Sequence, residues 1–327
     1  MCGIVGVVGN SNAVDILIQG LEKLEYRGYD SAGIYVTDAP DKGCLVKSVG
    51  RIADLRAKIS SDVKGSTGIG HTRWATHGQA TEDNAHPHTS ETGRFVLVHN
   101  GVIENYLQIK EEYLQGHKFK GQTDTEIAVH LIGKFVDEDG LSVLEALKKS
   151  LHIIQGSYAF ALVDSQAPDT IYVAKNKSPL LIGVGEGYNM VCSDAMAMIR
   201  ETSQFMEIHD KELVVLTKDA ITVTDYEGNA IERGTYTAEL DLSDIGKGTY
   251  PYYMLKEIDE QPTVMRKLIS TYADDEGNIT VDPAIVKSVQ EADRIYILAA
   301  GTSYNAGFAS KAMFEKLTDT PVEIGVA

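Results

Sequence analysis

The chain has 327 residues, of which 43% are hydrophobic and 24% are charged, values typical of a globular protein with room for two domains. Its net charge of −17 argues against a nucleic-acid partner, because the neutralisation of phosphates requires clustered Lys and Arg. No stretch predicts a membrane span or a signal peptide, and the three widely spaced cysteines form neither a disulfide framework nor a zinc pattern. We therefore expect a soluble protein of the reducing cytoplasm, with no membrane partner.

The chain is predicted to begin with a buried strand and an amphipathic helix. The apolar run over residues 4–8 favours the strand, and Ser11 is expected to cap the helix. The apolar residues that recur at helical spacing are Val14, Leu17, Ile18, Leu21 and Leu24. A turn-rich segment over residues 26–33 then leads into a strand at 34–37.

The next part of the chain alternates between blocks of strands and helices. Strands are predicted at 44–48, 67–71 and 95–99, helices at 104–114, 125–135 and 141–154, and a second set of strands at 158–164, 170–174, 180–184, 190–193, 212–217 and 220–224. This order predicts an α+β fold in which two sheets are covered by outer helical layers.

The pattern changes near residue 240, so we predict one domain over 1–240 and a second segment over 241–327. Residues 241–248 are typical of a linker, and a helix is predicted over 252–272, interrupted at Pro262. A strand at 293–300, a helix to about 317 and a strand at 322–326 predict the opening of a parallel α/β domain. One such unit cannot bury both faces of a parallel sheet, so we expect a domain that is cut short.

Cys2 is the first candidate catalytic residue. A small side chain at position 2 permits removal of the initiator methionine, which would leave Cys2 as the first residue. A terminal cysteine holds a thiol nucleophile and an α-amine, with an unperturbed pKa of about 7.7–8.0, that can relay the proton. Taken alone, a cysteine at this place is much more often an ordinary buried cysteine in a first strand.

Four polar segments are further candidates: residues 71–78, which contain the only tryptophan, and residues 84–88, 98–105 and 121–126. Five of the nine histidines lie between His71 and His99, but no carboxylate or cysteine accompanies them at ligand spacing, so no metal site is predicted. Asn100-Gly101 after an apolar strand predicts a tight hairpin turn, or alternatively an oxyanion hole. Asp124 before Thr125 predicts a helix cap.

Taken together, these segments resemble one family. Cys2-Gly3-Ile4-Val5-Gly6, residues 26–33, residues 71–78, His99-Asn100-Gly101 and residues 123–126 are similar to the class II glutamine amidotransferases, which are N-terminal-nucleophile hydrolases. The likeness covers residues 2–240 and continues at 256–262 and 301–305, which favours the members that carry a sugar-isomerase (SIS) half. It implies a four-layer αββα sandwich followed by the start of that isomerase domain.

The resemblance also implies a reaction, the hydrolysis of glutamine to glutamate and ammonia, with no cofactor. Cys2 would attack the side-chain amide carbon of glutamine, and Asn100 and Gly101 would stabilise the oxyanion. Arg73 would bind the substrate α-carboxylate through its planar fork, and Asp124 the α-ammonium.

The remaining pocket residues implied by the resemblance are Trp74, Thr76, His77 and His86. Trp74 would belong to a lid over residues 73–81 that closes on bound glutamine. Arg27 and Asp30 are expected to support the neighbourhood of the nucleophile.

The resemblance implies a second substrate for the complete protein, fructose 6-phosphate, which the released ammonia would aminate to glucosamine 6-phosphate. Gly301, Thr302 and Ser303 lie between a predicted strand and a helix N-terminus, a place that suits the sugar phosphate; an ordinary turn with a Ser or Thr cap is the alternative. The complete protein is expected to be a homodimer. Two other functions stay open at this point, namely another class II amidotransferase and a non-catalytic sugar-phosphate sensor.

Overall fold

A computed structural model describes residues 2–75, 78–238, 250–274 and 276–327. The chain divides into two compact units, Met1–Gly246 and Lys247–Ala327, which are described separately.

The described part of the first unit contains fourteen strands in two sheets. The strands are β1 Gly3–Val8, β2 Ser31–Thr37, β3 Cys44–Val49, β4 Thr67–Arg73, β5 His88–Thr89, β6 Phe95–Ile103, β7 Gly156–Asp164, β8 Ile171–Asn176, β9 Leu181–Val184, β10 Asn189–Cys192, β11 Gln204–Glu207, β12 Glu212–Leu216, β13 Ile221–Asp225 and β14 Tyr236–Thr237. The first sheet has the order β14-β11-β9-β10-β1-β4-β2-β3, and the second has the order β13-β12-β8-β7-β6-β5. All the described pairings within these two sheets are antiparallel.

Five α-helices accompany these sheets in the described residues: α1 Ala13–Leu24, α2 Ile52–Lys58, α3 Tyr106–Tyr113, α4 Asp124–Asp137 and α5 Val143–Ile153. Helices α1 and α2 pack on the outer face of the first sheet, and α3, α4 and α5 pack on the outer face of the second. The fold is therefore the expected αββα sandwich.

Three apolar cores hold the four layers together. The central core lies between the sheets and includes Ile4, Val98 and Val173, whereas Val5 and Val7 point to the outer core under α1. This alternation along β1 follows from the period of two of a strand. Full burial of one such aliphatic side chain stabilises the fold by about 1.5–3 kcal/mol, so β1 is anchored on both faces.

Strand β1 lies in the interior of the first sheet and carries the N-terminal segment with it. It pairs with β4, where Gly3 is opposite Thr72, and with β10, where Val5 is opposite Cys192. A Cβ at Gly3 would lie 2.8 Å from the Cβ of Leu24, so only glycine fits between β1 and α1 at this point. The start of β1 is therefore fixed by packing.

Three local predictions were wrong. Strand β6 continues beyond His99 to Ile103, so Asn100-Gly101 is not a hairpin turn, because residues 95–103 pair with β7 along their whole length. Asn12 occupies the N-cap position of α1, and Ser11 precedes it.

The third correction concerns α4. Its N-cap is Thr123, whose hydroxyl accepts a hydrogen bond from the Glu126 N–H, and Asp124 is the first helical residue. Four short elements, α2, β5, β11 and β14, were not predicted, and each is seven residues long or shorter.

The second unit contains three helices and two strands in the described residues: α6 Tyr253–Tyr272, α7 Pro283–Gln290, β15 Ile295–Ala299, α8 Gly301–Thr318 and β16 Val322–Val326. Strands β15 and β16 are parallel, as predicted. Helix α6 runs through Pro262 without ending, so the predicted interruption was wrong; proline removes one backbone donor, but the turns on both sides keep their own hydrogen bonds. Helix α7 was not predicted.

The apolar side chains of the second unit are largely exposed. Among its described residues, Val322 is the one large hydrophobic side chain in the buried class. Leu298 and Phe308 are exposed by more than 60%. No helix in the described part of the chain combines the length and the apolar character needed to cross a membrane.

Candidate active site

Cys2 immediately precedes β1, and four groups hold it in place. Its sulfur accepts a hydrogen bond from the Trp74 N–H at 3.3 Å and lies 3.6 Å from the Trp74 carbonyl oxygen. Its carbonyl oxygen accepts hydrogen bonds from Arg27 Nε at 3.0 Å and from Asn100 Nδ2 at 3.1 Å. The residue is half-buried, and burial raises the pKa of the thiol above its usual value. A base is therefore needed to generate the thiolate at neutral pH.

Asn100, on β6 of the second sheet, connects the nucleophile to residues of the first sheet. Its Oδ1 lies 2.9 Å from His71 Nε2, and its Nδ2 donates to Ser193 Oγ at 2.9 Å as well as to the Cys2 carbonyl. The same His71 nitrogen lies 3.0 Å from the carbonyl oxygen of His99. Because both partners of Nε2 are acceptors, the proton of His71 lies on Nε2, and this donor fixes which way the Asn100 amide is turned.

Gly101 follows Asn100 in a conformation that other residues rarely adopt. Its φ is +137°, and a Cβ at this position would lie 2.1 Å from the carbonyl oxygen of Ser157 on β7. The strand can pass this point only with glycine. The backbone of Gly101 is exposed, next to the buried Asn100 side chain.

The Arg73 side chain is buried beneath the loop that follows β4. Its guanidinium donates to the carbonyl oxygen of Gln79 at 3.2 Å and to that of Gly78 at 3.5 Å, and it lies 3.7 Å from Asp30 Oδ1. Asp30 also accepts a hydrogen bond from the Ala75 N–H. Arg73 and Asp30 therefore hold both ends of this loop.

Trp74 is 47% exposed, and its ring meets Tyr29 edge to face at a centroid distance of 5.4 Å. The exposed indole does not belong to a core, and the lid over residues 73–81 stays a prediction. Thr76 and His77, the two other residues assigned to the pocket from this loop, lie outside the described residues.

Asp124 lies at the N-terminus of α4, beside the end of β6. Its carboxylate accepts hydrogen bonds from the Ile103 N–H at 2.8 Å and from the Thr125 N–H at 2.9 Å. The hydrogen bond from Ile103 holds the Asp124 carboxylate beside β6, three residues after Asn100. The side chain is buried, at 8% exposure, in the first turn of α4.

His86 lies deeper than expected for a residue that contacts substrate. Its ring stacks on that of His71 at a centroid distance of 4.0 Å, and its Nδ1 accepts a hydrogen bond from the His99 N–H. The rings of His86 and His88 are also in contact, in an edge-to-face arrangement. Burial lowers the pKa of His71 to about 3 and holds the pKa values of His86, His88 and His99 below the usual value for histidine. These rings form a neutral layer beneath the site, where His86 supports His71.

Two residues that hold the site were not assigned a role from the sequence. His71 lies in the polar segment 71–78, but the sequence does not show that this histidine orients the Asn100 amide. Ser193 accepts hydrogen bonds from the Ile4 N–H and from Asn100 Nδ2. Ser193 is 189 residues from Ile4 along the chain, so its contact with the site becomes visible only when β10 is seen to pair with β1.

The predicted sugar-phosphate segment belongs to the second unit. Gly301, Thr302 and Ser303 form the first turn of α8, and Gly301 has a φ of +58° with open space around its Cβ position. Their N–H groups are among the unpaired donors of a helix N-terminus.

Comparison with known proteins agrees with this geometry. Residues 71–201 match the model of the glutamine amidotransferase domain. All 327 residues of the chain align, at 84% identity, with the glutamine–fructose-6-phosphate aminotransferase (isomerizing) of Streptococcus mutans and cover 54% of that protein. The chain belongs to the class II glutamine amidotransferases. It spans about half the length of the curated relatives that it matches.

Two solved structures show the fold of this family. The allosteric regulatory enzyme of purine biosynthesis is 29% identical, with a TM-score of 0.62 over 70% of this chain and 50% of its own. The glutamine phosphoribosylpyrophosphate amidotransferase of Bacillus subtilis, complexed with ADP and GMP, has a TM-score of 0.61 at 24% identity, over 99% of this chain and 66% of its own. The predicted N-terminal-nucleophile fold is thus confirmed.

Proposed function

We propose that this chain hydrolyses glutamine to glutamate and ammonia, with Cys2 as the nucleophile once Met1 has been removed. The observation that carries the proposal is the fixed position of Cys2 at the start of an interior strand. Its carbonyl oxygen is held by Arg27 and Asn100, and its sulfur lies against the backbone of Trp74.

The free α-amine of Cys2 acts as the base. It takes the thiol proton as the sulfur attacks the side-chain carbonyl carbon of glutamine, and the C=O electron pair moves to the oxygen. When the tetrahedral intermediate collapses, the C–N bond breaks and the ammonium form of the amine returns a proton, so ammonia leaves. Water then attacks the thioester, with the same amine as base, and releases glutamate and the thiol.

Two donors are assigned to the oxyanion, the N–H of Gly101 and the amide of Asn100. Support for this role comes from the φ of Gly101, which exposes its backbone beside Asn100, and from the hydrogen bond that orients the amide through His71. The Asn100 NH₂ group already serves Cys2 and Ser193, so it shares its hydrogens with the oxyanion when substrate binds.

We assign the charged ends of glutamine to Arg73 and Asp124. The Arg73 fork suits a carboxylate, and the Asp124 carboxylate suits an ammonium group. Trp74, Thr76 and His77 complete the proposed pocket, and His86 acts from the layer below. In this assignment Arg73 has two tasks, since it also binds the carbonyl oxygens of the loop that covers the substrate.

The ammonia is proposed to serve amino-sugar synthesis in the complete protein, where it aminates fructose 6-phosphate. The identity of 84% to an aminotransferase of this name extends through the second unit, whereas the allosteric enzyme of purine biosynthesis is 29% identical over 70% of the chain. This difference favours fructose 6-phosphate over phosphoribosyl pyrophosphate. Gly301, Thr302 and Ser303 are the proposed phosphate contacts. A cytoplasmic location and a homodimer of the complete protein belong to the same proposal.

The test of glutamine hydrolysis is a glutaminase assay on Cys2→Ala, with Cys44→Ala as the matched control. Cys44 is a half-buried cysteine at the start of β3. We expect Cys2→Ala to lose essentially all turnover, because the thioester cannot form, and Cys44→Ala to keep it. The mass of the purified chain should show that Met1 is absent. Undiminished turnover in Cys2→Ala would remove the proposed nucleophile.

A further inference from the structure

A second group of potential metal ligands lies outside the candidate active site. Glu91, His117 and His130 each offer one ligand atom, and these three atoms lie within 4.8 Å of one another. No other such group of three occurs in the described part of the chain. We call it the Glu91 cluster.

The three residues come from different segments of the second sheet and its helical layer. Glu91 lies in the turn between β5 and β6, His117 follows α3, and His130 is in the middle of α4. One carboxylate oxygen of Glu91 accepts a hydrogen bond from the Lys118 N–H at 3.2 Å. The other oxygen, Oε2, lies 2.9 Å from His117 Nδ1. The carboxylate is therefore already oriented toward the histidine.

Both imidazoles have a buried nitrogen without a hydrogen-bond partner, Nδ1 of His117 and Nδ1 of His130. His130 is 2% exposed, and the contact between Glu91 and His117 Nδ1 is close without the alignment of a hydrogen bond. Two ligands of a tetrahedral zinc ion at about 2.0–2.1 Å are themselves about 3.3 Å apart. The 2.9 Å between Glu91 Oε2 and His117 Nδ1 is short enough for both atoms to bind one such ion.

The neighbours of the cluster orient its ligands as in known zinc sites. Glu138 Oε1 lies 3.2 Å from His117 Nε2, so a carboxylate faces the second nitrogen of a metal-binding imidazole. Phe119 stacks on His130 at a centroid distance of 4.6 Å and fixes the plane of that ring.

The cavity beside the cluster carries more acidic than basic side chains. A cavity of about 490 Å³ opens beside Glu91 and His117 and is lined in addition by Glu112 and Glu138. Lys134 is the basic residue of this cavity, and its ammonium is paired with Glu138 at 3.1 Å. The cavity is open to solvent, so water can reach Glu91 and His117.

We propose that Glu91, His117 and His130 bind one Zn²⁺ ion, with water completing a tetrahedral site. Two imidazole nitrogens and one carboxylate oxygen match the ligand preferences of zinc. The ion would tie the β5–β6 turn and the segment after α3 to α4, the helix whose N-terminus carries Asp124. This proposal does not depend on glutamine hydrolysis.

The experiment is calorimetric titration of the metal-free chain with zinc chloride. The parent for all titrations carries Cys2→Ala, because a terminal cysteine binds zinc by itself. We expect one ion per chain, and at least tenfold weaker binding in His117→Gln and in Glu91→Gln. His152→Gln, which removes an exposed histidine on α5, is the matched control and should bind as the parent does. Co²⁺ in place of zinc should show the visible absorption of a tetrahedral nitrogen–oxygen site.

His117 and Glu91 lie at the surface end of the cluster, so both variants are expected to fold, and a circular dichroism spectrum identical to that of the parent verifies this. A parent that binds no zinc would overturn the proposal. So would zinc binding of unchanged affinity in the folded His117→Gln and Glu91→Gln variants.

Discussion

Gly101 shows how a single residue can determine the site. Its φ of +137° is one obstacle to any other residue, and the carbonyl oxygen of Ser157, 2.1 Å from where a Cβ would lie, is another. The first is conformational, and the second is a steric clash with the neighbouring strand.

Gly101→Ala should therefore lower the free energy of unfolding by about 3 kcal/mol or more, since both strain and overpacking contribute. Gly140→Ala is the matched control, because Gly140 also has a positive φ, +70°, but nothing lies within 4 Å of its Cβ position. We expect the control to cost about 1–2 kcal/mol. Urea unfolding measures the free energy of unfolding of both variants. An equal loss in Gly101→Ala and Gly140→Ala would show that the structure relaxes to remove the clash with Ser157.

The buried histidines make the stability of the first unit dependent on pH. Burial depresses the pKa of His88 well below the usual value of about 6.5, so the folded state disfavours the proton that the unfolded chain accepts. The stabilisation by neutral His88 is thus complete above about pH 6.5 and is lost as the pH falls below it.

His88→Gln should reduce the loss of stability between about pH 6.5 and pH 5, by up to about 1.4 kcal/mol per pH unit. The measurement is the urea midpoint at several pH values for the wild type and the variant. The comparison of slopes removes the contribution of the carboxylates, which both proteins share. Parallel pH profiles would mean that His88 does not resist protonation in the folded state.

At the scale of elements, the N-terminus of α4 links helix capping to the site. Thr123 Oγ1 accepts a hydrogen bond from the Glu126 N–H and lies 3.0 Å from His88 Nε2, and the next residue is Asp124. Ser142 caps α5 in the same way through the Glu145 N–H, but α5 carries none of the proposed site residues.

Thr123→Ala and Ser142→Ala form a matched pair. Each should lower the free energy of unfolding by about 1 kcal/mol through the loss of a cap. Only Thr123→Ala should also raise the KM for glutamine, because the fraying of this turn moves Asp124. A glutaminase assay measures the KM for glutamine in both variants. An equal KM in Thr123→Ala and Ser142→Ala would show that Asp124 does not bind the substrate.

Long elements with a clear period could be predicted from the sequence, and so could the family segments. Helix α1 and strands β7 and β12 lie close to their predicted positions because their apolar residues repeat at the helical or strand period. Asn100-Gly101 was predicted to form a turn because this dipeptide is common in turns. The dipeptide alone carries no information on the pairing with β7, which keeps the strand extended.

Candidate site residues could be assigned from the sequence where a single segment carries them, as at Cys2 and Arg73, and these assignments stay predictions. The roles of His71 and Ser193 could not be assigned, because they depend on which strands become neighbours. His86 was placed in the pocket by resemblance, whereas its stacking on His71 follows from the register of β4, β5 and β6.

At the scale of the whole molecule, the two units differ in how much apolar surface they bury. The first unit has three cores, whereas Val322 is the one large buried hydrophobic side chain among the described residues of the second. Hydrophobic burial is the main stabilising contribution, so the second unit should be the less stable.

We expect the second unit to unfold at a lower urea concentration than the first. Far-ultraviolet circular dichroism follows the helices of both units, but fluorescence of the single tryptophan, Trp74, reports on the first unit alone. The dichroism should therefore fall in part before the tryptophan emission changes. A single transition with both probes would show that the units unfold together.

The interior position of β1 has a consequence for biosynthesis. This strand leaves the ribosome long before one of its two neighbours, β10, which ends at Cys192. Until then the sheet cannot close around the nascent terminus. The delay gives the methionine peptidase required by the proposed mechanism time to expose the amine of Cys2 before folding encloses it.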